Sequence, residues 1–159
     1  VSAPSTPAVR FLRERSVDYT EHLYRYEEHG GTAASARALG VDEHAVVKTL
    51  VLEDDTGAPL LMLMHGDREV SLKVLARQAG RRSVALCAPE AATRQTGYLF
   101  GGTSPFATRR PIAVFAERSI RDLPRIYING GSRGFLVGLA TTELERVLTP
   151  TWVDAAIAG

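Results

Sequence analysis

One cysteine, Cys87, is present among 159 residues. That excludes an intrachain disulfide framework and a multi-thiolate zinc site, and it fits a reducing compartment. Lysine is almost as scarce, since only Lys48 and Lys73 interrupt a basic set otherwise made of arginine. Neither sign of charge dominates: 19 basic against 18 acidic side chains leave a formal +1. No overall surplus marks a nucleic-acid binder, so any anion site must be local and DNA is not an expected partner. Long apolar runs are missing too; stretches such as Leu60 to Met64 are far too short to span a bilayer, and Val1 to Ser5 carries no signal-peptide pattern. A cytoplasmic protein without a membrane partner is expected. The rest of the composition, 45% hydrophobic and 23% charged, is that of an ordinary globular chain. Its length, near the ~150-residue scale of one domain, predicts a single domain over 1–159 with residues 1–5 as a frayed lead-in.

Local signals divide the chain into short elements. Thr6 and Pro7 cap and open a helix to about Arg15, and Val17 to Tyr26 suits a strand. Thr32 to Leu39 is an alanine-rich helix stopped by Gly40, and Asp42 caps a short turn before a strand over Val46 to Leu52. Asp54-Asp55-Thr56-Gly57 turns that strand into a second one, Pro59 to Met64, and both should be central. Ser71 caps a helix that Gly80 closes, Ser83 to Ala88 reads as a buried strand, and Pro89 opens a helix that Gly97 closes. Strands follow near Ile112 to Phe115, Arg125 to Ile128 and Gly134 to Leu139, with Asn129-Gly130-Gly131-Ser132 as a hairpin turn. Thr142 and Glu145 stand at capping-box spacing before a last helix ending near Leu148. Strands joined as hairpins and interleaved with helices predict an α+β, mixed α/β fold: a curled, barrel-like mixed sheet surrounded by short helices.

Lys48 is the most informative residue, because it lies inside an apolar strand. With a period of two it shares a face with Val46, Leu50 and Leu52, so its ammonium either reaches an edge or enters a pocket that demands an anionic partner. An edge strand with a solvated lysine is the plain alternative; nothing nearby supports a Schiff-base role. Two glycine-rich segments accompany it. Gly101-Gly102-Thr103-Ser104-Pro105 can bring backbone donors to a developing oxyanion, and Asn129-Gly130-Gly131-Ser132-Arg133 adds donors and a guanidinium for phosphate or carboxylate. Either alone is an ordinary turn. Together they predict a polar pocket for an anionic, carbonyl-bearing ligand. Ser104 is outside any nucleophile-elbow pattern, Cys87 reads as core, and His22, His29, His44 and His65 have no metal-ligand spacing, so neither a metal nor a cofactor is expected.

Thr6-Pro7-Ala8-Val9, Val47-Lys48-Thr49-Leu50, Thr96-Gly97-Tyr98, Gly101-Gly102-Thr103-Ser104-Pro105 and Ile126-Tyr127-Ile128-Asn129-Gly130-Gly131 through Arg133-Gly134 together resemble the YbaK/EbsC family. It comprises free-standing trans-editing proteins and the related insertion domain of bacterial prolyl-tRNA synthetases. The resemblance runs from about Thr6 to Leu148 and implies a trans-acting aminoacyl-tRNA deacylase. Its substrate would be mischarged tRNA, chiefly tRNA(Pro) carrying a small amino acid such as cysteine or alanine, with a synthetase as a possible partner. It implies that Lys48 holds the terminal adenosine or phosphate region and that the Gly101 amide orients the carbonyl, with no protein nucleophile. Tyr24, Thr49, Gly102, Ser104, Pro105, Asn129, Gly130, Gly131 and Arg133 complete the expected substrate-binding set. Two departures bear on substrate: Leu136 stands where the cysteine-specific type carries an acidic residue, and Ala107 where glycine is common. The competing expectations are a non-catalytic module that binds a nucleotide or tRNA end to regulate a partner, and a small esterase using Ser104.

Overall fold

A computed structural model describes residues 2–159. Helix α1 (Pro7–Glu14) begins as expected, with the Thr6 side chain accepting from the Val9 amide and Pro7 at the first position. Strand β1 (Tyr19–Leu23) is followed by α2 (Gly31–Leu39), which ends at Gly40 with a left-handed φ of 70°. A one-turn 3-10 segment, Glu43–Ala45, capped by Asp42, then delivers the chain into β2 (Val46–Asp54). Strands β3 (Pro59–His65) and β4 (Arg68–Val70), helix α3 (Leu72–Gln78) capped by Ser71, and β5 (Val84–Leu86) come next. Helix α4 (Pro89–Thr96) stops at Gly97, φ 82°. The rest comprises β6 (Ala113–Glu117), a 3-10 segment Arg118–Asp122, β7 (Arg125–Ser132), β8 (Phe135–Ala140), α5 (Thr141–Leu148), β9 (Thr151–Val153) and β10 (Ala156–Ala158).

The main sheet runs β1-β8-β7-β2-β3-β6-β9, with β5 also on β2, while β10 pairs with β4. Pairs β2/β7, β3/β6 and β6/β9 are parallel and the others antiparallel, so the sheet is mixed as expected. Its end strands β1 and β9 do not pair with one another, and the sheet stays open where a barrel-like closure was expected. Apolar alternation buries both faces. On one, α1 and α5 place Val9, Leu12 and Leu144 against Ile126, Ile128, Val137 and Leu139. The same face holds α4, whose Ala92 meets Val51 and Leu61. On the other, Leu75 and Ala76 of α3 cover Leu52, Leu60, Met62 and Met64, and Ala36 of α2 covers Val46 and Leu136. Each fully buried aliphatic side chain contributes about 1.5–3 kcal/mol relative to exposure, so these layers set the register firmly.

Three expectations differ. Strand β5 is an edge, with Leu86 56% exposed, because it pairs only with the end of β2. Asn129-Gly130-Gly131-Ser132 is not the hairpin turn: β7 runs through it with a bulge between Asn129 and Ser132, and the chain reverses at Arg133-Gly134. Thr142 lies inside α5, whose cap is Ala140 without a side-chain hydrogen bond, so the capping box does not form. Among the described residues no helix is long and apolar enough to cross a membrane.

Candidate functional site

Strand β2 has two neighbours on one edge and one on the other. β3 pairs with it from Val47 to Glu53; on the opposite edge β7 pairs only at Val46 and Val47, and β5 only from Leu52 to Asp54. Cys87 N–H donates to the Val51 carbonyl at 2.9 Å, which leaves Lys48, Thr49 and Leu50 facing a gap in the ladder. Lys48 is thus on a central strand, and the solvated edge lysine is ruled out. Its side chain retains 21% exposure and its Nζ stands 3.6 Å from Glu69 Oε1 on β4. Because Glu69 is 63% exposed, this ion pair is weakly held and an anionic ligand can displace it.

Lys48 lies on the face covered by α2 and α3, between Val46 and Leu50, whose neighbours form two separate apolar clusters. Beyond the pairs Val46↔Tyr127 and Val47↔Ile128, the next residues along the two parallel strands are Lys48 and Asn129, whose side chains leave the sheet on the same side. Asn129 is the keystone of the glycine loops. Its Oδ1 accepts the amides of Gly131 (2.7 Å) and Ser132 (3.1 Å), fixing the bulge, while Nδ2 donates to the Gly101 carbonyl at 3.2 Å. Arg133 Nε donates to the Phe100 carbonyl at 2.8 Å, and its guanidinium lies 5.3 Å from the Tyr26 ring centre. These bonds dock the Phe100–Gly102 loop onto the β7–β8 hairpin.

The loop requires glycine for two reasons. Gly101 has φ 89°, and a Cβ there would come within 2.6 Å of Tyr26 Oη; at Gly102 a Cβ would sit 2.9 Å from the Arg133 amide nitrogen. Their amides differ in use. Gly102 N–H is consumed by the Leu99 carbonyl at 2.8 Å, so it is not the ligand donor expected from sequence, whereas Gly101 N–H has no partner among the described residues. Gly130 leaves space for the Phe135 ring and its carbonyl accepts from Thr6 Oγ1; Gly131 takes φ 100° beside Tyr98.

Other expected residues are placed less directly. Ser104 is fully buried with Oγ accepting the Phe106 amide at 3.1 Å, and Pro105 is buried beside it, so both shape the loop from within. The Ser104-nucleophile esterase loses its physical basis. Thr49 follows Lys48 and therefore faces the opposite side, its hydroxyl buried without a partner among the described residues. Tyr24 packs against the Val46 and Leu136 cluster on the Lys48 face, and its amide donates to Gly134 O at 2.9 Å. Burial raises the Tyr24 phenol above its ordinary value and pushes that of Tyr98, which donates to the Phe106 carbonyl, up to about 12; both stay neutral donors. Leu136, 4% exposed, makes that wall apolar, and Ala107 carries a φ of 56°, a conformation suited to glycine. Two surface hollows elsewhere, along Asp122–Pro124 with α5 and beside Phe11 of α1, contain neither Lys48 nor Gly101.

Sequence reasoning missed Glu69 and Tyr26, and it missed a cluster formed by closure of the β2–β3 hairpin. His44 Nδ1 meets Asp67 Oδ1 at 2.8 Å, and the His44 and His65 rings stack 3.7 Å apart. His65 Nδ1 donates to the His44 carbonyl (2.8 Å) and Nε2 accepts from Ser119 Oγ (2.7 Å). The ligating atoms of His44, His65 and Asp67 lie within 4.8 Å of one another, but both His65 nitrogens are already engaged, so these bonds tie the start of β2 to the end of β3.

On a mixed α/β sheet the site thus brings together a partly buried cation, Lys48, and a glycine loop with a free backbone amide, a donor set whose chemistry suits an anionic, carbonyl-bearing ligand. Residues 27–147 match the family described as "Aminoacyl-tRNA editing domain". The chain belongs to that family. It is 27% identical over 147 residues, 92% of this chain and 88% of the relative, to an Enterococcus faecalis protein named "Putative Cys-tRNA(Pro)/Cys-tRNA(Cys) deacylase EbsC". It is also 33% identical over 121 residues to a proline–tRNA ligase of Nitratidesulfovibrio vulgaris, covering 75% of this chain but 19% of the ligase. A crystal structure described as a "putative trans-editing enzyme for prolyl tRNA synthetase" shares the fold, with TM-score 0.83 at 22% identity over 98% of this chain and 100% of that one.

Proposed function

We propose that this protein is a trans-acting aminoacyl-tRNA deacylase that hydrolyses the ester of mischarged tRNA, with tRNA(Pro) carrying cysteine or alanine as its substrate. The observation that carries this reading is the placement of Lys48 on the strand next to Asn129, whose side chain docks the Gly101 carbonyl, while Arg133 holds the Phe100 carbonyl and with it the peptide that carries the unpaired Gly101 amide. An aminoacyl ester is already reactive, and positioning with oxyanion stabilisation supplies most of what it needs. Lys48 binds a phosphate or ribose oxygen of the terminal nucleotide, displacing Glu69. Water attacks the ester carbonyl and the Gly101 N–H donates to the oxyanion. The bond between the acyl carbon and the ribose oxygen then breaks, that oxygen takes up a proton from the attacking water to become the ribose hydroxyl, and the free amino acid leaves.

The apolar wall of Val46, Tyr24 and Leu136 supports a sieve by size, in which one methylene is worth about 1–3 kcal/mol, enough for proofreading after a synthetase. The similarity to part of a proline–tRNA ligase supports prolyl-tRNA synthetase as the source of the mischarged tRNA. The decisive experiment incubates the protein and Lys48→Ala with tRNA(Pro) charged with cysteine, alanine, serine or proline. Loss of one small mischarged species, slowed about 100-fold or more by the substitution, is expected. Because the partner Glu69 is largely exposed, Lys48→Ala should unfold within about 1 kcal/mol of wild type. Ester loss no faster than spontaneous for every species overturns the reading and leaves the non-catalytic tRNA-end module.

A further inference from the structure

The glycine loop carries on its outer side an apolar step that the hydrolytic chemistry does not use: Leu99 is 65% exposed and Phe100 56% exposed. The other exposed large apolar residues, Leu23, Leu86 and Ile157, lie on separate strands. The step is rigid, since Arg133 Nε holds the Phe100 carbonyl at 2.8 Å and Gly101, the next residue, fits against Tyr26 Oη. One guanidinium adjoins it, that of Arg133, which also stacks at 5.3 Å on Tyr26. Among the described residues Arg133 pairs with no carboxylate, unlike Arg81, Arg118 and Arg146.

An exposed aromatic face beside a guanidinium that pairs with no carboxylate is the chemistry that holds an unpaired base and its phosphate. Two adjoining residues offer about the width of one base and far less than the roughly 800 Å² per partner of a stable protein interface. Lys48 is recessed at 21% exposure while Phe100, the residue before Gly101, is 56% exposed, so an ester held at the Gly101 amide brings the adjoining nucleotides within reach of the Phe100 ring. Resting on the deacylase reading, we infer that Phe100, with Arg133, is the stacking platform for an unpaired base immediately upstream of the terminal nucleotide of the substrate's single-stranded 3′ end.

The test compares Phe100→Ala, Phe100→Trp and wild type on mischarged tRNA and on the same amino acid esterified to adenosine alone. Phe100→Ala should raise KM for the tRNA about tenfold with kcat little changed, leave aminoacyl-adenosine hydrolysis unchanged, and be rescued by Phe100→Trp. Equal losses on both substrates, or none on the tRNA, overturn the platform while leaving the deacylase intact. Should the wild type hydrolyse neither, the deacylase reading fails by itself. The platform is then judged on an uncharged single-stranded tetranucleotide with 2-aminopurine next to its 3′ end. Quenching by wild type and Phe100→Trp but not Phe100→Ala supports the platform, and equal or absent quenching overturns it.

Discussion

Burial holds the His65 imidazole below its ordinary value of 6.5, against smaller raising effects of the His44 carbonyl, Asp67 and Glu117 and a lowering one from His44. His22 is lowered as well, by burial and by Arg125. For a histidine with a depressed native value, the unfolded chain binds the proton more readily below 6.5, so stability falls as pH drops from that point toward the native value. Urea unfolding between about pH 5 and about pH 7 should show this slope, and His65→Gln should flatten it; an unchanged slope in the variant would remove His65 as its source. The pairing of His44 and Asp67 adds a separate window at lower pH, since Asp67 is held below the usual carboxylate range and its contribution is lost only on acidification through it. None of this was legible from spacing, because His44 and Asp67 are 23 residues apart and meet only when the hairpin closes. Lys48, by contrast, announced itself: a charge in an apolar strand is costly unless it has a partner, and that cost is visible in one dimension.

At the scale of elements, legibility followed how local the cause was. Thr6, Asp42 and Ser71 cap with their own side chains, and Gly40 and Gly97 end helices with their own φ, so these boundaries could be read directly. Asn129-Gly130 misled because the same side chain that favours a tight turn here accepts two amides across a bulge within a continuing strand. Strands β4, β9 and β10 have three residues each, too few to show a period, and they form because neighbours present edges. Glu69 was hidden for that reason. The bulge also yields a separation of roles. Asn129→Asp keeps the acceptor for Gly131 and Ser132 but replaces the donor to Gly101 O with a repelling oxygen. We expect stability within about 1 kcal/mol of wild type and kcat for deacylation reduced about tenfold or more. Equal losses in kcat and stability would mean that the bulge and the loop cannot be uncoupled.

For the whole molecule, the near balance of 19 basic and 18 acidic side chains means that attraction to a polyanion comes from local arginines and not from a global field. A log–log plot of KM for charged tRNA against salt should therefore have a slope of only roughly 2 to 3, as expected for a few phosphate contacts; a much steeper one would require a wider basic surface. The mixed sheet with helices on both faces was foreseeable from interleaved signals, while its open ends were not, since closure depends on which strands meet at the far edges.

The strand that presents Glu69 to Lys48 is itself held by β10, and Gly159 sits so close to Asp67 that a Cβ there would lie 2.7 Å from its carbonyl oxygen. A side chain at position 159 would therefore push on the backbone two residues from the carboxylate that competes for Lys48, so Gly159→Val should change the affinity of the cleft for anions without touching any residue in it.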